Sequence, residues 1–143
     1  LCRDWSSDVC SSDLTLEGIR LAVLFGSHAR GTAQASSDMD IGIGFYNTPG
    51  LLQLGGIMDA LGSLTGKKID LVELDGLPAA NPLLAFNIAS ESLLLAENEP
   101  EVWLAFRNRA CLQYFDLAEF LDRQRLELAH RLDSGNFGRA IHA

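Results

Sequence analysis

The amino-acid sequence predicts an α/β (α+β) fold in which a small mixed β-sheet is flanked by helices and followed by a long C-terminal helix. Short β-branched apolar runs indicate the strands, helix-periodic segments lie between them, and one apolar stripe runs along the last part of the chain. A length of 143 residues fits one domain, and a hydrophobic fraction of 48% is enough for a packed core. Helices between strands indicate crossovers, although this pattern does not give the strand order.

Four segments carry strand patterns. The first is an uninterrupted apolar run that stops at Gly26, and the second alternates, so that Asp38, Asp40, Gly42 and Gly44 share one side. Glycines on that side either leave space for a ligand or pack beneath a helix, and we favour packing. The predicted strands span residues 19–25, 38–46, 68–74 and 92–96.

The segments between these strands carry helical signals. A turn with a short helix is predicted over 27–34, and helices are predicted over 51–64, ending at Gly66, and over 82–89. Asn98 as N-cap and Pro100 in the first turn predict the start of a long helix that ends near Ser134 and Gly135. Its stripe is predicted to pack on the core, with any exposed remainder available to a partner; it comprises Trp103, Phe106, Ala110, Tyr114, Leu117 and Leu121.

Charge and composition exclude several classes of protein. A net charge of −8 argues against a sequence-independent nucleic-acid binder, which needs clustered positive charge. No apolar run reaches the roughly 20 residues that cross a bilayer, so we expect no membrane span. Three irregularly spaced cysteines fit neither a disulfide framework nor a zinc site. A reducing, cytoplasmic location is the simpler expectation.

The two ends of the chain are set apart from the predicted domain. Residues 1–14, LCRDWSSDVCSSDL, have no strand or helix period and resemble a translated sequencing-adapter fragment. They lack the basic start and apolar run of a signal peptide. We therefore expect an artefactual or disordered tail over 1–14, a folded domain over 15–135 and a C-terminal tail over 136–143.

Three aspartates carry the chemistry that the sequence predicts. Asp38 and Asp40 point to the same side of the second strand, and Asp70 joins them if the third strand is its neighbour. Carboxylates brought together in this way repel one another unless a cation lies between them. Mg²⁺ suits such a site, because it takes one or two carboxylates and completes its coordination with waters and substrate phosphates.

A turn upstream of these aspartates is a candidate phosphate site. Gly26 lets the backbone approach a ligand closely, and Ser27 offers a hydroxyl and neighbouring amides to phosphate oxygens. Arg30 either reaches a phosphate or pins the turn to a nearby carboxylate, and the sequence does not decide between these roles. His28 is expected to face solvent rather than to act as a base.

The order of these residues resembles a known signature. Gly26-Ser27, ten further residues and Asp38-Met39-Asp40 are similar to the motif of the polymerase-β-like nucleotidyltransferase superfamily. The segment GSHARGTAQASSDMDIGI is most similar to minimal nucleotidyltransferases, and among these to the MntA family of adenylyltransferase antitoxins. The alternation of Gly42 and Gly44 with isoleucines departs from the usual motif, which continues with apolar residues.

The resemblance implies a specific function. It makes Asp38, Asp40 and Asp70 the metal ligands and catalytic acids, and Gly26, Ser27 and Arg30 the nucleotide-binding residues. Members of that family use Mg²⁺ and transfer AMP from ATP to a tyrosine of a HEPN-domain ribonuclease toxin, HepT, with which an oligomer is expected. Two alternatives remain open at this point: nucleotidyl transfer to a small molecule, as in antibiotic-modifying relatives, and neutralisation of a toxin by binding alone.

Overall fold

The computed structural model describes residues 18–135. The tails predicted over 1–14 and 136–143 lie outside these residues. Within them the chain forms four strands and five helices, and the predicted α/β class with a small mixed sheet and a long C-terminal helix is confirmed. The strands are β1 Ile19–Phe25, β2 Met39–Phe45, β3 Ile69–Glu73 and β4 Leu93–Glu97. The helices are α1 Gly26–Arg30, α2 Leu51–Thr65, α3 Leu77–Ala80, α4 Pro82–Glu91 and α5 Val102–Asp133.

The strands form one mixed sheet in the order β3-β2-β1-β4. Strand β1 is antiparallel to both β2 and β4, whereas β2 and β3 are parallel and are joined by α2. A parallel neighbour requires such a crossover, because the chain must return to the same end of the sheet. The N-terminal ends of β2 and β3 therefore lie side by side.

Each face of the sheet packs against its own helices. On one face, Ile41, Ile43 and Phe45 of β2 pack with Ile57 and Leu61 of α2. On the other face, a second apolar cluster joins β1 to α4 and α5; its buried members are Leu21, Val23, Leu74, Ile88 and Val102. The sheet is thus covered on both sides, as its largely apolar strands require.

The connections differ from the expectations in two places, an element that was not predicted and a helix start that was predicted wrongly. The short helix α3 was not predicted, and α5 begins at Val102 instead of directly after Asn98. Asn98 does not cap the helix, because its side-chain amide donates a 2.9 Å hydrogen bond to the carbonyl oxygen of Ile19. Glu97 accepts a hydrogen bond from the backbone N–H of Trp103 instead, at 3.1 Å. The Asn98 side chain, which was predicted to cap the helix, thus links the end of β4 to β1 instead.

Helix α5 changes surroundings along its length. Ala110 is fully buried against Ala85 and Ala89 of α4, and Tyr114 stacks on Phe86 with ring centroids 4.1 Å apart. Beyond residue 118, every residue up to 135 is exposed. The prediction that the stripe packs on the core is therefore correct up to Tyr114 and wrong at Leu121, which is 47% exposed. No helix within residues 18–135 combines the length and apolar character needed to cross a bilayer.

Candidate active site

Asp40 and Asp70 are direct neighbours in the sheet. They are register partners in the parallel pairing of β2 with β3, one residue after Met39 pairs with Ile69. Partners in adjacent strands lie about 4.8 Å apart and direct their side chains to the same face. The condition on which Asp70 was assigned to the cluster, that β3 neighbours β2, is met.

Asp38 lies just before β2 and completes the acidic group from the loop side. Its Oδ2 accepts a hydrogen bond from Lys68 Nζ at 3.1 Å, and this bond raises the pKa of the Lys68 ammonium group. The two side chains are 45% and 77% exposed, so their attraction is screened by water. Lys68 therefore neutralises the charge of Asp38. Because this exposed ion pair contributes little to stability, a divalent cation can take the place of Lys68 beside Asp38.

Gly26 leaves the space that the Asp40 carboxylate occupies. Asp40 pairs with Phe25 at the end of β1, so the next residue, Gly26, lies against the aspartate side chain. A Cβ on Gly26 would overlap Asp40 Oδ2, and the backbone φ of +71° is a conformation that favours glycine. The Gly-Ser turn and the carboxylates therefore form one compact unit in which position 26 has to be glycine.

The charge of Asp40 is unfavourable in this position. Burial raises the pKa of its carboxyl group above the ordinary value, and the negative charges of Asp70 and Asp38 raise it further. The positive charges of His28 and Arg30 oppose these effects only in part. The folded chain thus concentrates negative charge at one point, and a bound cation would relieve that repulsion.

These residues fit a hard divalent cation by their chemistry. All three offer carboxylate oxygens, the donors that Mg²⁺ prefers, and the absence of a side chain at Gly26 makes room for the Asp40 carboxylate. Within residues 18–135, however, no three acidic, His or Cys side chains are already arranged around a common metal position. Because Asp38 is turned toward Lys68, a metal would be held after one side-chain rotation rather than in a preformed cage.

Two residues of the Gly-Ser turn make contacts that stabilise it. Arg30 Nη1 donates to Glu91 Oε2 at 3.1 Å, which links the turn to the end of α4 and agrees with the pinning alternative. His28 is half-buried, with Nε2 3.3 Å from the carbonyl oxygen of Ser37, so the expectation that it faces solvent was wrong. Its ring connects the turn to the loop that precedes Asp38.

The glycines of β2 pack closely on the face that carries the carboxylates. A Cβ on Gly42 would overlap Leu74 and Val23, whereas one on Gly44 would meet Leu21 at an ordinary contact distance. The packing interpretation is therefore correct for Gly42. Its neighbours are the residue that follows β3 and a β1 side chain, rather than a helix lying above the strand.

Lys68 and Glu91 contribute to the site and were not identified from the sequence. Lys68 lies two positions before Asp70, where the parallel register alone would have placed it near Asp38. For Glu91 no sequence signal exists, because the contact with Arg30 joins residues 61 positions apart. A separate cleft of about 460 Å³ lies at the other end of the sheet, around Arg20 and Asp75, and none of the three site carboxylates lines it.

Comparison with known proteins agrees with the motif and the fold. The family described as polymerase beta, nucleotidyltransferase, matches residues 13–101, which include the Gly-Ser turn and all three aspartates. A curated relative, the protein adenylyltransferase MntA of Thermococcus cleftensis, is 40% identical over 55 residues, which are 38% of this chain and 56% of the relative. The chain spans between 55% and 63% of the length of the first curated relatives, less than two thirds.

Solved structures share the fold over most of the chain. A toxin–antitoxin structure with AMP-PNP has a TM-score of 0.62 at 18% identity and covers 92% of this chain and 97% of that one. A tri-AMPylated HEPN toxin of Shewanella oneidensis in complex with MNT antitoxin gives a TM-score of 0.58 at 16% identity, with coverages of 92% and 98%. At these identities the likeness establishes the fold.

Proposed function

The chain belongs to the polymerase β nucleotidyltransferase family, and from this premise we propose that it is a Mg²⁺-dependent enzyme that transfers AMP from ATP to a tyrosine of a HEPN-domain toxin. By this modification it would act as the antitoxin of the pair. The observation that carries the proposal is the pairing of Asp40 with Asp70 directly beside Gly26. A nucleotidyltransferase needs carboxylates and a triphosphate site next to each other, and these residues provide both.

Asp38, Asp40 and Asp70 are the residues that would hold the metal. When bound, Mg²⁺ would neutralise the triphosphate and favour the departure of its leaving group. Asp38 would exchange Lys68 for the cation, and the released ammonium group would remain nearby as a second positive charge. The raised pKa of Asp40 supports this assignment, because it reflects a charge that lacks sufficient compensation within the chain.

Gly26, Ser27 and Arg30 are the proposed nucleotide-binding residues. The Gly26 backbone lies against Asp40, so a phosphate held at the turn would be adjacent to the carboxylates. Ser27 contributes its hydroxyl group from the next position. Arg30 is half exposed and its pair with Glu91 is also exposed, so it can exchange this partner for a phosphate oxygen with little loss of stability.

The proposed reaction is an in-line displacement at the α-phosphorus of ATP. The tyrosine oxygen forms a bond to this phosphorus, the bond to the bridging oxygen of the β-phosphate breaks, and pyrophosphate leaves. Asp70 accepts the phenolic proton. Asp70 is exposed at the edge of the sheet, and this position supports a macromolecular acceptor over a small molecule enclosed in a pocket.

The choice of acceptor is supported by what the similar proteins are described to be. The curated relative is named a protein adenylyltransferase, and one similar structure is that of an AMPylated HEPN toxin with an MNT antitoxin. Because the chain spans less than two thirds of the first curated relatives, the acceptor and the assembly with it are part of the proposal.

Intact-mass spectrometry tests the proposal. The purified chain is incubated with ATP, Mg²⁺ and the HEPN-domain protein encoded beside its gene, and the partner is then weighed. We expect the partner to gain the mass of one or more adenylyl groups, and a partner whose tyrosines at the modified site are changed to phenylalanine to gain none. A partner that binds but stays unmodified would contradict the proposal and would favour neutralisation by binding alone.

A paired variant tests the residues. We expect Asp38→Asn together with Asp40→Asn to reduce transfer by roughly 10³-fold or more, because the charge that holds the metal is removed. Asp59→Asn, at an exposed position on α2, is the matched control and should retain full transfer. Circular dichroism would verify that both proteins are folded. Undiminished transfer by the paired variant would exclude the proposed metal site.

A further inference from the structure

The exposed half of α5 carries an ordered apolar stripe, here called the distal stripe and defined as Leu117, Leu121, Leu128 and Leu132. At about 100° per residue these side chains fall within an arc of roughly 60°. Leu121 and Leu128 are each 47% exposed and Leu132 is 56% exposed. The stripe continues the face whose first half packs on α4 through Ala110. Leu117 is half-buried, and beyond it no element among residues 18–135 covers the stripe.

The spacing of the distal stripe is symmetric. Its leucines are separated by four, seven and four positions, so the pattern reads the same in both directions about a midpoint between Gln124 and Arg125. Two antiparallel helices related by a two-fold axis meet residue by residue in reverse order. A second copy centred on this midpoint would place its Leu128 on Leu121 and its Leu132 on Leu117, so all four leucines would be matched.

We propose that the distal stripe binds the distal stripe of a second copy of this chain, forming an antiparallel, two-fold symmetric helix pair. The symmetric spacing fits this occupant, because each of the four leucines then meets a leucine of the second copy. Gln124 lies at the centre of the pair among the leucines, where a polar residue fixes the register of paired helices.

Charged residues on one flank of the distal stripe are complementary to those of a second copy. Arg125 lies beside the stripe and Asp122 lies farther out on the same side, and within the chain they form an exposed ion pair of 3.9 Å. In an antiparallel two-fold pair this flank meets its own reversed sequence. Arg125 therefore approaches Asp122 of the second copy. Opposite charges come together on this flank, which favours this register over a parallel one.

The contact is small, and this determines how the dimer behaves. Sixteen helical residues span roughly 24 Å, and one helix pair of this length buries less surface than the roughly 1,200 Å² typical of stable complexes. The dimer is therefore weak and depends on protein concentration. It leaves the site carboxylates free, because Asp40 and Asp70 lie on β2 and β3 and Asp38 directly before β2, whereas the distal half of α5 is exposed and packs on neither strand.

Sedimentation velocity over a wide range of concentrations tests the proposal. We expect the unmodified chain of residues 1–143 to shift from monomer to dimer as the concentration rises, and Leu128→Asp to remain monomeric at every concentration. Leu126→Asp is the matched control, since Leu126 is 72% exposed on the opposite side of the same helix, and it should dimerise like the wild type. A wild-type chain that stays monomeric throughout, or a dimer that survives Leu128→Asp, would overturn the proposal.

Disulfide cross-linking tests the antiparallel register. Leu117→Cys and Leu132→Cys are prepared as separate proteins in chains whose Cys2, Cys10 and Cys111 are serine. Mixing them under oxidising conditions should give the mixed dimer in preference to either self-linked dimer. Preferential self-linking would indicate a parallel pair and overturn the proposal. If the unmodified chain is monomeric and Leu128→Asp abolishes its binding to the HEPN-domain protein, the distal stripe binds that protein instead. This result would equally overturn the proposal.

Discussion

The carboxylate site and the distal stripe are both energetically unfavourable in the isolated chain, but for different reasons. The site holds Asp40 beside Asp70 in a sheet whose register and close packing against Gly26 leave no freedom to separate them. The distal stripe exposes leucines on a part of α5 that no other element within residues 18–135 covers. In the first region like charges are held close together. In the second region apolar side chains are exposed to water. Such departures from what folding alone favours mark the surfaces that are available for function.

The largest effect is expected on stability, when an aspartate is placed at one of two positions on the same face of α5. Ala110→Asp should destabilise the fold by about 4 kcal/mol, because it buries an unpaired carboxylate between α4 and α5. Leu128→Asp should cost less than about 1 kcal/mol when measured on the dilute monomer by urea denaturation. A large loss of stability with Leu128→Asp would mean that the distal half of α5 packs on the domain, and the contrast would disappear.

The next effect concerns the rigidity of the site and compares two glycines. Gly26→Ala and Gly31→Ala both place alanine at a positive φ, +71° and +72°, so the backbone conformation alone should cost each about 1 kcal/mol of stability. Only the first adds a Cβ that overlaps Asp40, since no atom lies within 4 Å of a Cβ on Gly31. We expect only Gly26→Ala to weaken Mg²⁺-dependent ATP binding. The affinity should fall by roughly tenfold or more, which corresponds to about 1.4 kcal/mol of binding free energy. Isothermal titration calorimetry measures this, and equal affinities would show that the carboxylate is free to move.

The smallest effect is a gain of stability. A raised pKa means that ionised Asp40 opposes folding, so the folded chain loses stability as the pH rises through this pKa. Asp40→Asn should therefore raise the melting temperature slightly in EDTA near neutral pH, by an amount that solvent screening at this partly exposed site keeps small. The gain should vanish at pH values low enough to protonate the carboxylate in both folded and unfolded states. A lower melting temperature for Asp40→Asn near neutral pH would contradict the like-charge account.

The parts of the fold that follow local rules could be predicted from the sequence. The bounds of β1 are those predicted, α2 ends at Gly66 in the left-handed conformation, and the alternation in β2 correctly placed Ile41, Ile43 and Phe45 on one face. The contact with Asp70 depended on strand order, which local patterns do not contain. It followed only once β3 was known to pair with β2.

The parts that depend on distant contacts could not be predicted. Asn98 carries a valid cap signal, but its amide bonds to Ile19, 79 positions away. The stripe of α5 has one period along its whole length, and this period specifies an apolar face without specifying what covers it. The pairing of Asp38 with Lys68 likewise depends on which exposed side chains meet after folding.

Crystallography with Mn²⁺ and a non-hydrolysable ATP analogue tests the central claim most directly, because the anomalous signal locates the metal without reference to activity. We predict a peak within roughly 2.0–2.3 Å of carboxylate oxygens from Asp38, Asp40 and Asp70, with Asp38 rotated away from Lys68 and the triphosphate beside Gly26. A peak elsewhere would contradict the account. So would a metal that lacks Asp40 or Asp70 as a ligand while the nucleotide occupies its site.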